Sequence, residues 1–388
     1  MRDRTRRRTQ PARSVSEGSR AAKLSMFVWR LPIGMSIETV HALLTQVPRS
    51  RFGLIFSACR PLLALAIAMF LLRSNHCEAG DEDVRPTIVI SFTSFREDMR
   101  YANVYRYELS PDGEGKITGK VTPGPKRSDH HPSLSHDGQT AIFAGEVVGQ
   151  VNQIHFWKFA DSSMSPLPSL NVTTTAQMAP SFCSESHLVA FEAWKRPGSS
   201  GRWDILLYDV ERKAYVPVPG LNSDRFDERK PAFSHDGRWL GFTTNEFMKS
   251  SLTDIRLYDR QTEQVIDPLG LNSTAMDTEP SLSRDGRLLT FISDRPGGEG
   301  ARDVYLYDAR EKRLLALPGL NSLGQEQSPS ISADGRFIAF VSERLDATGE
   351  RDVFVYDRQT QTLVPTPDLN CPGDDYDPCI VLKPMASE

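Results

Sequence analysis

One phrase recurs along this sequence at an almost constant interval and restricts the chain to a repeat architecture. Full copies of Pro-Ser-Leu-Ser-x-Asp-Gly, with small variations, stand at Pro132–Gly138, Pro231–Gly237, Pro280–Gly286 and Pro329–Gly335. A degenerate copy begins at Pro180, and a short terminal copy is Pro378–Leu382. The six prolines are 48, 51, 49, 49 and 49 residues apart. A constant period of roughly 20–50 residues is typical of solenoids and propellers.

Three further markers keep the same period. The first is a phenylalanine, at Phe92, Phe143, Phe191, Phe242, Phe291 and Phe340. The second is Asp-Ile/Val-x-x-Tyr-Asp, at Asp204–Asp209, Asp254–Asp259, Asp303–Asp308 and Asp352–Asp357. The third is Leu-Asn, ending at Asn171, Asn222, Asn272, Asn321 and Asn370. Because the markers stay in phase over most of the chain, each interval is one structural unit.

Each unit contains four short stretches with the character of β-strands. In the unit 279–321, the predicted strands A to D are Pro280–Ser283, Arg287–Ser293, Asp303–Asp308 and Arg313–Pro318. The Asp-Gly between strands A and B is interpreted as a turn former, not a calcium ligand, because glycine accepts a positive φ and aspartate bonds local backbone. Four antiparallel strands per repeat are typical of a β-propeller blade, whose faces neighbouring blades must cover.

The two ends of the repeat region determine the number of blades. Residues 86–123 align with strands B, C and D only, and Pro378–Leu382 is an isolated strand A. Together they make one composite blade beside five complete ones. The sequence therefore predicts an all-β protein whose residues 86–384 form a six-bladed β-propeller closed by the C-terminal strand. Closure would also remove the open sheet edges that favour aggregation.

The repeats resemble those of TolB-type propellers, whose blades contain Pro-x-Trp-Ser-x-Asp-Gly-x-x-Ile-Ala-Phe. The best-matching stretches are SPSISADGRFIAFVSER from Ser328 and EPSLSRDGRLLTFISDR from Glu279. The usual tryptophan is replaced by Leu134, Phe182, Phe233, Leu282 and Ile331. The resemblance implies an extracytoplasmic six-bladed propeller that docks partner proteins in the cell envelope. We expect no counterpart of the smaller α/β domain that precedes the propeller in that family, since the leader runs almost into the first blade.

The region before the repeats is predicted to be a leader. Residues 1–61 are interpreted as a disordered basic extension, because their first 25 residues are rich in Arg, Ser and Thr and lack an apolar period. The apolar run Leu62–Leu72 has 11 residues, which suits a signal-peptide core and is short of the ~20 that span a bilayer. We predict a signal region at 62–79, either cleaved after Ala79 or kept as an anchor, and a periplasmic or extracytoplasmic protein. Alternatively, synthesis begins at Met26 or Met35.

Charge divides the sequence at the same place. Residues 1–80 contain 13 Lys and Arg against 4 Asp and Glu, whereas residues 81–388 contain 33 against 46. Phosphate contacts need concentrated cations, so we expect no nucleic-acid partner for this acidic body. We expect a monomer that meets the membrane only through an uncleaved leader.

The residue before each repeated proline is predicted to line one mouth of the central channel, because strand A is the innermost strand of a blade. These residues are His131, Ala179, Lys230, Glu279, Ser328 and Asp377. They differ in charge from blade to blade and lie on the face with the longer D–A and B–C loops, whereas the opposite face repeats short turns. Because binding residues concentrate on variable loops, we predict ligand binding at His131, Lys230, Glu279 and Asp377.

Two tryptophans extend this predicted binding surface. Trp194 and Trp203 flank a loop of the third blade, and other blades have Thr253, Arg302 and Arg351 at the position of Trp203. Exposed tryptophan is enriched at binding hot spots, and its flat ring also suits sugars. Contact with a ligand and packing within the blade are both open interpretations.

Two histidines suggest a different chemistry. His130 and His131, with Asp129 and Asp377, could hold a metal, because metal sites need converging imidazoles and carboxylates. Some related propellers are metal-dependent pectate-degrading lyases, and this chain resembles them weakly. It contains no Gly-x-Ser-x-Gly motif. We therefore predict no catalytic residues, no bound metal and no cofactor.

The cysteines are predicted to separate into two classes. Cys371 and Cys379 are predicted to form a disulfide in an exported protein, since Pro372 and Gly373 would let the chain fold back between them, and Cys183 is predicted to stay reduced. The sequence as a whole favours an exported, non-enzymatic propeller that binds a protein or an envelope polymer through one face. The alternative is a metal-assisted enzyme that degrades acidic polysaccharide, since propellers host many functions.

Overall fold

The computed structural model describes residues 85–121, 126–147, 150–165, 167, 170, 175–194, 203–245 and 253–383. The predicted extension at 1–61, the signal region at 62–79 and the cleavage point after Ala79 lie outside these residues. The described part of the chain contains 24 strands, and none of it forms a helix able to cross a membrane. The strands form six four-stranded antiparallel sheets, so the predicted all-β six-bladed propeller is confirmed.

Each sheet is one blade, with strand A innermost and strand D outermost. Blade 1 contains β1 (Ile88–Ser94), β2 (Asn103–Leu109) and β3 (Gly115–Lys120), with β24 (Asp375–Leu382) as its strand A. Blade 2 contains β4 (Arg127–Leu134), β5 (Thr140–Val147), β6 (Gln153–Lys158) and β7 (Ser163–Ser165). Blade 3 contains β8 (Gln177–Cys183), β9 (Leu188–Trp194), β10 (Trp203–Asp209) and β11 (Ala214–Val216).

The remaining blades follow the same order. Blade 4 contains β12 (Glu228–Phe233), β13 (Trp239–Thr244), β14 (Asp254–Asp259) and β15 (Gln264–Ile266). Blade 5 contains β16 (Asp277–Leu282), β17 (Leu288–Ser293), β18 (Asp303–Asp308) and β19 (Arg313–Leu315). Blade 6 contains β20 (Glu326–Ile331), β21 (Phe337–Ser342), β22 (Asp352–Asp357) and β23 (Thr362–Val364).

The C-terminal strand closes the ring, as predicted. β24 pairs antiparallel with β1, with Ile380 opposite Ile90 and Val381 opposite Val89. Ile380 and Val381 are buried, and Ile380 packs in one apolar cluster with side chains of blades 1 and 6. The first and last described strands of the chain therefore share one sheet.

The repeated aromatic residues form the interfaces between blades. Every copy of the strand B phenylalanine is at most 1% exposed. The strand C tyrosine is buried beside it, and its hydroxyl reaches the neighbouring blade. Tyr307 Oη donates to the carbonyl oxygen of Leu269 at 2.7 Å, and Tyr356 Oη to that of Pro318 at 2.8 Å. Since a buried phenol needs a hydrogen-bond partner, these two tyrosines join blades 5 and 6 to the D–A loops before them.

The Ser-x-Asp-Gly phrase forms the A–B turn. In blade 4, Ser234 Oγ donates to Asp236 Oδ1 at 2.6 Å, and the same oxygen accepts the Arg238 backbone N–H at 3.0 Å. Gly237 has φ 71°, which a side chain would oppose. The repeated aspartate is therefore a turn former, as interpreted from the sequence.

The Leu-Asn marker holds the D–A loop. Asn272 Oδ1 accepts the backbone N–H of Ile255 at 2.9 Å, and its Nδ2 donates to the carbonyl oxygen of the same residue at 2.8 Å. The other copies that make this contact are Asn222, Asn321 and Asn370. The asparagine side-chain amide thus pairs with strand C as the backbone of a neighbouring strand would. These two hydrogen bonds hold the D–A loop against strand C.

Two strand boundaries differ from the prediction. Strand A begins three residues early, at Asp277 in β16 and at Asp375 in β24. These polar residues resemble a loop in the sequence, but their side chains have partners at the blade interface. Strand D is shorter than predicted, since β19 ends at Leu315, and Pro318 has no N–H for a ladder.

Candidate functional site

Six equivalent residues surround one mouth of the channel. They are His131, Ala179, Lys230, Glu279, Ser328 and Asp377. The register between strands A and B shifts at this position in every blade, which is the mark of a β-bulge. All six residues have a positive φ, between 46° and 54°, which is uncommon outside glycine. The structure therefore places one side chain per blade at the mouth, on backbone of a kind that concentrates at functional sites.

Polar contacts connect neighbouring mouth residues. Lys230 Nζ lies 3.6 Å from Glu279 Oε1, and Glu279 Oε2 accepts the Ser328 backbone N–H at 2.8 Å. Asp377 accepts the Ser328 hydroxyl through Oδ1 at 3.2 Å and the His131 backbone N–H through Oδ2 at 3.3 Å. The four predicted mouth residues therefore belong to one network, which ends at the alanine of blade 3.

The network determines the charge at the mouth. Burial lowers the pKa of His131 despite the opposing effect of Asp377, so this imidazole is neutral at pH 7. Burial also opposes charge on Lys230 and Asp377. Glu279 nevertheless raises the pKa of Lys230, and His131 and Lys230 lower that of Asp377. One cation and two carboxylates thus surround a cavity of about 130 Å³, with room for about four waters.

The two tryptophans lie on the same face and are linked to the mouth. Trp194 and Trp203 are opposite each other in β9 and β10, with ring centroids 5.0 Å apart. The guanidinium carbon of Arg229 lies 4.6 Å from the ring centroid of Trp203, and Arg229 Nε donates to Glu192 Oε2 at 2.8 Å. Glu192 Oε1 accepts the backbone N–H of Lys230 at 3.0 Å. Both tryptophans are half-buried, so each side chain packs partly against its blade and is partly exposed to solvent.

The side chains predicted as possible metal ligands each contact a different neighbouring residue. Asp129 accepts a hydrogen bond from the Arg127 side chain, and His130 Nδ1 lies 3.0 Å from Tyr376 Oη. His131 Nε2 instead lies 3.7 Å from Asp377 Oδ2. Among the residues that the structure describes, no group of three or more His, Cys, Asp or Glu side chains is arranged to hold a metal ion.

The predicted disulfide between Cys371 and Cys379 does not form. All three described cysteines are free. The chain from Asp375 onwards is the extended strand β24, so it does not fold back as predicted. Cys371 Sγ lies 3.7 Å from Ser94 Oγ, whereas Cys379 Sγ accepts the backbone N–H of Leu134 at 3.3 Å inside the channel.

Side chains cover the other end of the channel. Arg284 of blade 5 donates from Nη1 to Glu185 Oε1 at 2.7 Å, and its Nη2 lies 2.8 Å from His136 Nε2 in blade 2. The His136 and His235 rings meet edge to face, with centroids 4.8 Å apart. Blades 2 and 5 are opposite each other in a six-bladed ring, so Arg284 reaches across the channel.

A repeated arginine forms a polar site that the sequence markers did not include. In blade 5, Arg295 Nη2 donates to the carbonyl oxygen of Leu271 at 2.9 Å and to Asp277 Oδ1 at 2.6 Å. Its guanidinium carbon lies 5.0 Å from the ring centroid of Phe291 and 4.7 Å from that of Tyr305. We call this set of contacts the arginine clamp; it joins strand A, strand B and the D–A loop.

The clamp recurs in two other blades. Arg96 in blade 1 and Arg344 in blade 6 make the equivalent contacts to a leucine carbonyl, a strand A acid and two aromatic rings. The signal was present in the sequence, since each arginine stands four residues after the repeated phenylalanine. A guanidinium against aromatic faces and a buried acid stabilises the loops around the mouth.

Comparison with known proteins places the chain by its fold. No protein-family model and no curated protein matches the sequence. The solved structure of TolB from Acinetobacter baumannii aligns with a TM-score of 0.57 at 14% identity, covering 82% of this chain and 71% of that one. Hydrazine synthase from Kuenenia stuttgartiensis gives 0.53 at 10% identity, covering 77% and 47%. An oligogalacturonate lyase from Vibrio parahaemolyticus gives 0.44 at 9% identity, covering 66% and 74%.

These alignments support the fold and nothing finer. The chain has the TolB-like six-bladed propeller that its repeats predicted. It spans about half of the hydrazine synthase chain. The TM-score with the lyase is too low to bear on activity. The fold alone therefore assigns no function to the chain.

Proposed function

We propose that this chain is a non-enzymatic binding scaffold that works outside the cytoplasm and holds a protein or an envelope polymer. The binding surface is the channel-mouth face, defined as the six mouth residues together with Glu192, Trp194, Trp203 and Arg229. The extracytoplasmic location rests on the predicted signal region at 62–79 and on the TolB-like fold.

One observation carries this proposal: six blades share one backbone geometry at the mouth but present different side chains. The bulge and the positive φ recur in every blade. The side chains are His, Ala, Lys, Glu, Ser and Asp. A repeated bulge fixes where each side chain stands, and the differences among them suit a partner that lacks six-fold symmetry.

The contacts within this face indicate how a partner would be recognised. The ion pair between Lys230 and Glu279 leaves the carboxylate of Asp377 as the one unbalanced charge at the mouth, so specificity would come from that charge and from hydrogen bonds at fixed positions. Trp194 and Trp203 add an aromatic surface beside the mouth. Rigid aromatic anchors next to a polar network are typical of interaction surfaces with a few dominant residues.

Partner capture by matched variants tests this function. Lys230→Ala with Glu279→Ala removes both members of the ion pair and leaves the net charge of the mouth unchanged. Trp194→Ser with Trp203→Ser removes the aromatic pair. Arg310→Ala is the control, because Arg310 is exposed in a C–D turn on the opposite face. Immobilised wild type and control should capture the same molecule from envelope extracts, and each double variant should bind about tenfold more weakly or worse.

Melting temperatures measured beforehand separate lost binding from lost folding. Loss of the partner in Arg310→Ala, with full capture by both double variants, would place the binding surface on the opposite face. Stoichiometric manganese, zinc or iron in the purified protein, together with cleavage of an acidic polysaccharide, would favour the lyase-like alternative.

A further inference from the structure

A cavity of about 550 Å³ lies in the groove between blades 4 and 5. The A–B and C–D turns of blade 5 border it, so it is on the face opposite the channel mouth. Leu257 and Tyr307 form its base and are buried, whereas Ile266 and Leu269 at its edge are 39% and 71% exposed. Its volume is in the range of small-molecule sites, which apolar and aromatic side chains commonly line.

The D–A loop of blade 4 is one reason why this groove is open. In blades 2, 3 and 5 the corresponding positions hold an apolar residue followed by proline, in the pairs Leu167-Pro168, Val218-Pro219 and Leu317-Pro318. The apolar member of each pair packs against the cluster between its own blade and the next. Blade 4 has the reverse order, Pro268-Leu269, and Leu269 is largely exposed. The leucine of this loop therefore does not fill the groove.

A second side chain is smaller in this groove than in its neighbours. Arg260 and Arg358 stand directly after strand C in blades 4 and 6, and Nη1 of each donates to the carbonyl oxygen of its own A–B turn glycine. That glycine packs on the preceding blade, as the contact of Gly335 with Leu288 shows. Blade 5 has Ala309 at this position, and Ala309 lines the cavity. The grooves on either side thus hold an apolar side chain and an arginine where this one has neither.

A tryptophan forms the wall of the cavity on blade 4. Trp239 is half-buried, and a Cβ atom added to Gly286 of blade 5 would lie 2.5 Å from its Cδ1, so the indole lies against the facing turn. At this position of strand B the other blades have Val89, Thr140, Leu188, Leu288 and Phe337. Together with Ile266 and Leu269, the indole gives the cavity an apolar lining.

Three charged groups that line the cavity have partners within the protein. Arg287 donates from Nη2 to Asp308 Oδ2 at 2.7 Å, and Asp267 Oδ1 accepts from Arg256 Nε at 2.6 Å. Asp285 Oδ1 accepts the backbone N–H of Arg287 at 3.0 Å inside the A–B turn. These contacts satisfy the two carboxylates, so neither calls for a cationic ligand.

Lys312 adds a positive charge at the edge of the cavity. It is exposed, and it forms no ion pair with any residue that the structure describes. A lysine in this position attracts an anionic group and repels a cationic one. The cavity therefore favours a ligand that is mostly apolar and carries a negative charge.

We propose that this cavity, the groove site, binds a free amphipathic anion whose apolar body lies between Trp239, Ile266 and Leu269 and whose charged group meets Lys312. The acidic body of the chain, with 33 Lys and Arg against 46 Asp and Glu in residues 81–388, repels a surface of anionic lipids. The ligand is accordingly a free molecule. The groove site is separate from the channel-mouth face and does not depend on the proposed function.

Calorimetric titration with three probes that share one apolar body tests the groove site. Octanoate, 1-octanol and octylammonium have the same chain length and differ in charge. At neutral pH and low ionic strength, full-length wild type should show one saturable site for octanoate. Octanol should bind about threefold to fivefold more weakly, because it lacks the contact with Lys312, and octylammonium more weakly still.

Variants of the groove locate the binding. Pro268→Leu with Leu269→Pro gives blade 4 the order that blades 2, 3 and 5 have, and it should abolish octanoate binding without lowering the melting temperature. Ile266→Glu places a negative charge at the exposed edge and should also abolish binding, at little cost in stability. If the first variant melts below wild type, Ile266→Glu decides in its place.

A matched pair of lysine variants tests the charge. Lys312→Glu should weaken octanoate binding about threefold to tenfold and leave octanol binding unchanged. Lys213→Glu is the control, because Lys213 has the same position in the C–D turn of blade 3 and nearly the same φ, 54° against 55°. It should bind octanoate as wild type does.

Three results would overturn the proposal. No saturable octanoate binding by wild type, or wild-type affinity in a folded Ile266→Glu chain, would show that the groove is not a binding site. Equal affinity for octanoate and octanol would overturn the assignment to an anion. Displacement of octanoate by phosphatidylglycerol vesicles would overturn the assignment to a free molecule.

Discussion

Arg284 Nη2 and His136 Nε2 lie 2.8 Å apart, although the two residues are 148 positions apart in the chain and belong to opposite blades. The contact requires that six blades surround one narrow channel. With the ion pair between Arg284 and Glu185, it covers the end of the channel away from the mouth. The two ends of the channel are thus lined by different sets of side chains.

Replacing Arg284 should change the titration of the histidines that it approaches. Burial, His136 and Arg284 together lower the pKa of His235 to about 4, and burial and Arg284 lower that of His136. In Arg284→Leu both values should rise, yet stay below the ordinary value because burial remains. Histidine ring protons followed by NMR measure this, with Arg310→Leu as control. Unchanged histidine pKa values would show that Arg284 does not cross the channel.

Acid should weaken the fold through the same histidines. Their pKa values are lower in the folded chain than the ordinary 6.5, so the unfolded chain binds more protons as the pH falls. Their contribution to stability is present above about pH 6.5 and is lost as the pH falls towards 4. His235→Phe should flatten this part of the stability curve in urea unfolding. An identical slope in the variant would contradict the assignment.

Glu228 should act in the opposite direction. Its pKa is raised from 4.5 to about 7 in the folded chain, so the folded state keeps a proton that the unfolded state loses. Its contribution is therefore present below about pH 4.5 and is lost as the pH rises to 7. Relative to Glu228→Gln, wild type should lose about 3 kcal/mol between pH 4.5 and 8. Parallel pH profiles of the two proteins would contradict this.

Breaking a filled arginine clamp should destabilise the propeller. Arg295→Leu would leave Asp277, whose side chain is fully buried, without its cation, at a cost of about 3–5 kcal/mol. Adding Asp277→Asn should recover part of this loss, because the unpaired charge is removed. Chemical unfolding of the single and double variants measures both effects. A single variant as stable as wild type would show that the clamp contributes nothing.

Removing the closing strand should open the ring. A chain lacking residues 376–388 loses the pairing of β24 with β1 and the buried side chains of Ile380 and Val381, each worth roughly 1.5–3 kcal/mol. We expect a much lower melting temperature and aggregation through the exposed edge of β1. Removal of residues 384–388 alone is the control. Equal melting of both truncated chains would contradict ring closure.

Local signals predicted the fold and the position of the mouth. The spacing from Pro132 to Pro378 defined the blades, and the incomplete repeats at the two ends defined the closure. The residue before each proline marked the mouth, because strand A is the innermost strand of a blade and this position lies at its end on the face with the longer loops. The β-bulge at Glu279 was not predicted, since a register shift depends on the partner strand.

Other features depend on which blades face or adjoin each other. The predicted disulfide between Cys371 and Cys379 was wrong, because the short spacing of the two cysteines does not reveal the contacts of Asp375 between them. Asp375 accepts a hydrogen bond from the Cys371 backbone N–H at 2.8 Å and forms an ion pair with Arg96. Both contacts hold Asp375 at the start of strand β24. The contact from Arg284 to His136 was likewise invisible, because a period does not say which turns meet across a channel.

Site-specific photo-cross-linking tests most directly whether the channel-mouth face binds the partner. The photoreactive residue p-benzoylphenylalanine replaces Trp203 beside the mouth, where it substitutes one aromatic side chain for another, or Arg310 on the opposite face. Irradiation in envelope extract should give one adduct of constant mass from the Trp203 position and none from the Arg310 position. An adduct from the Arg310 position alone, with none from the Trp203 position, would contradict the proposed function.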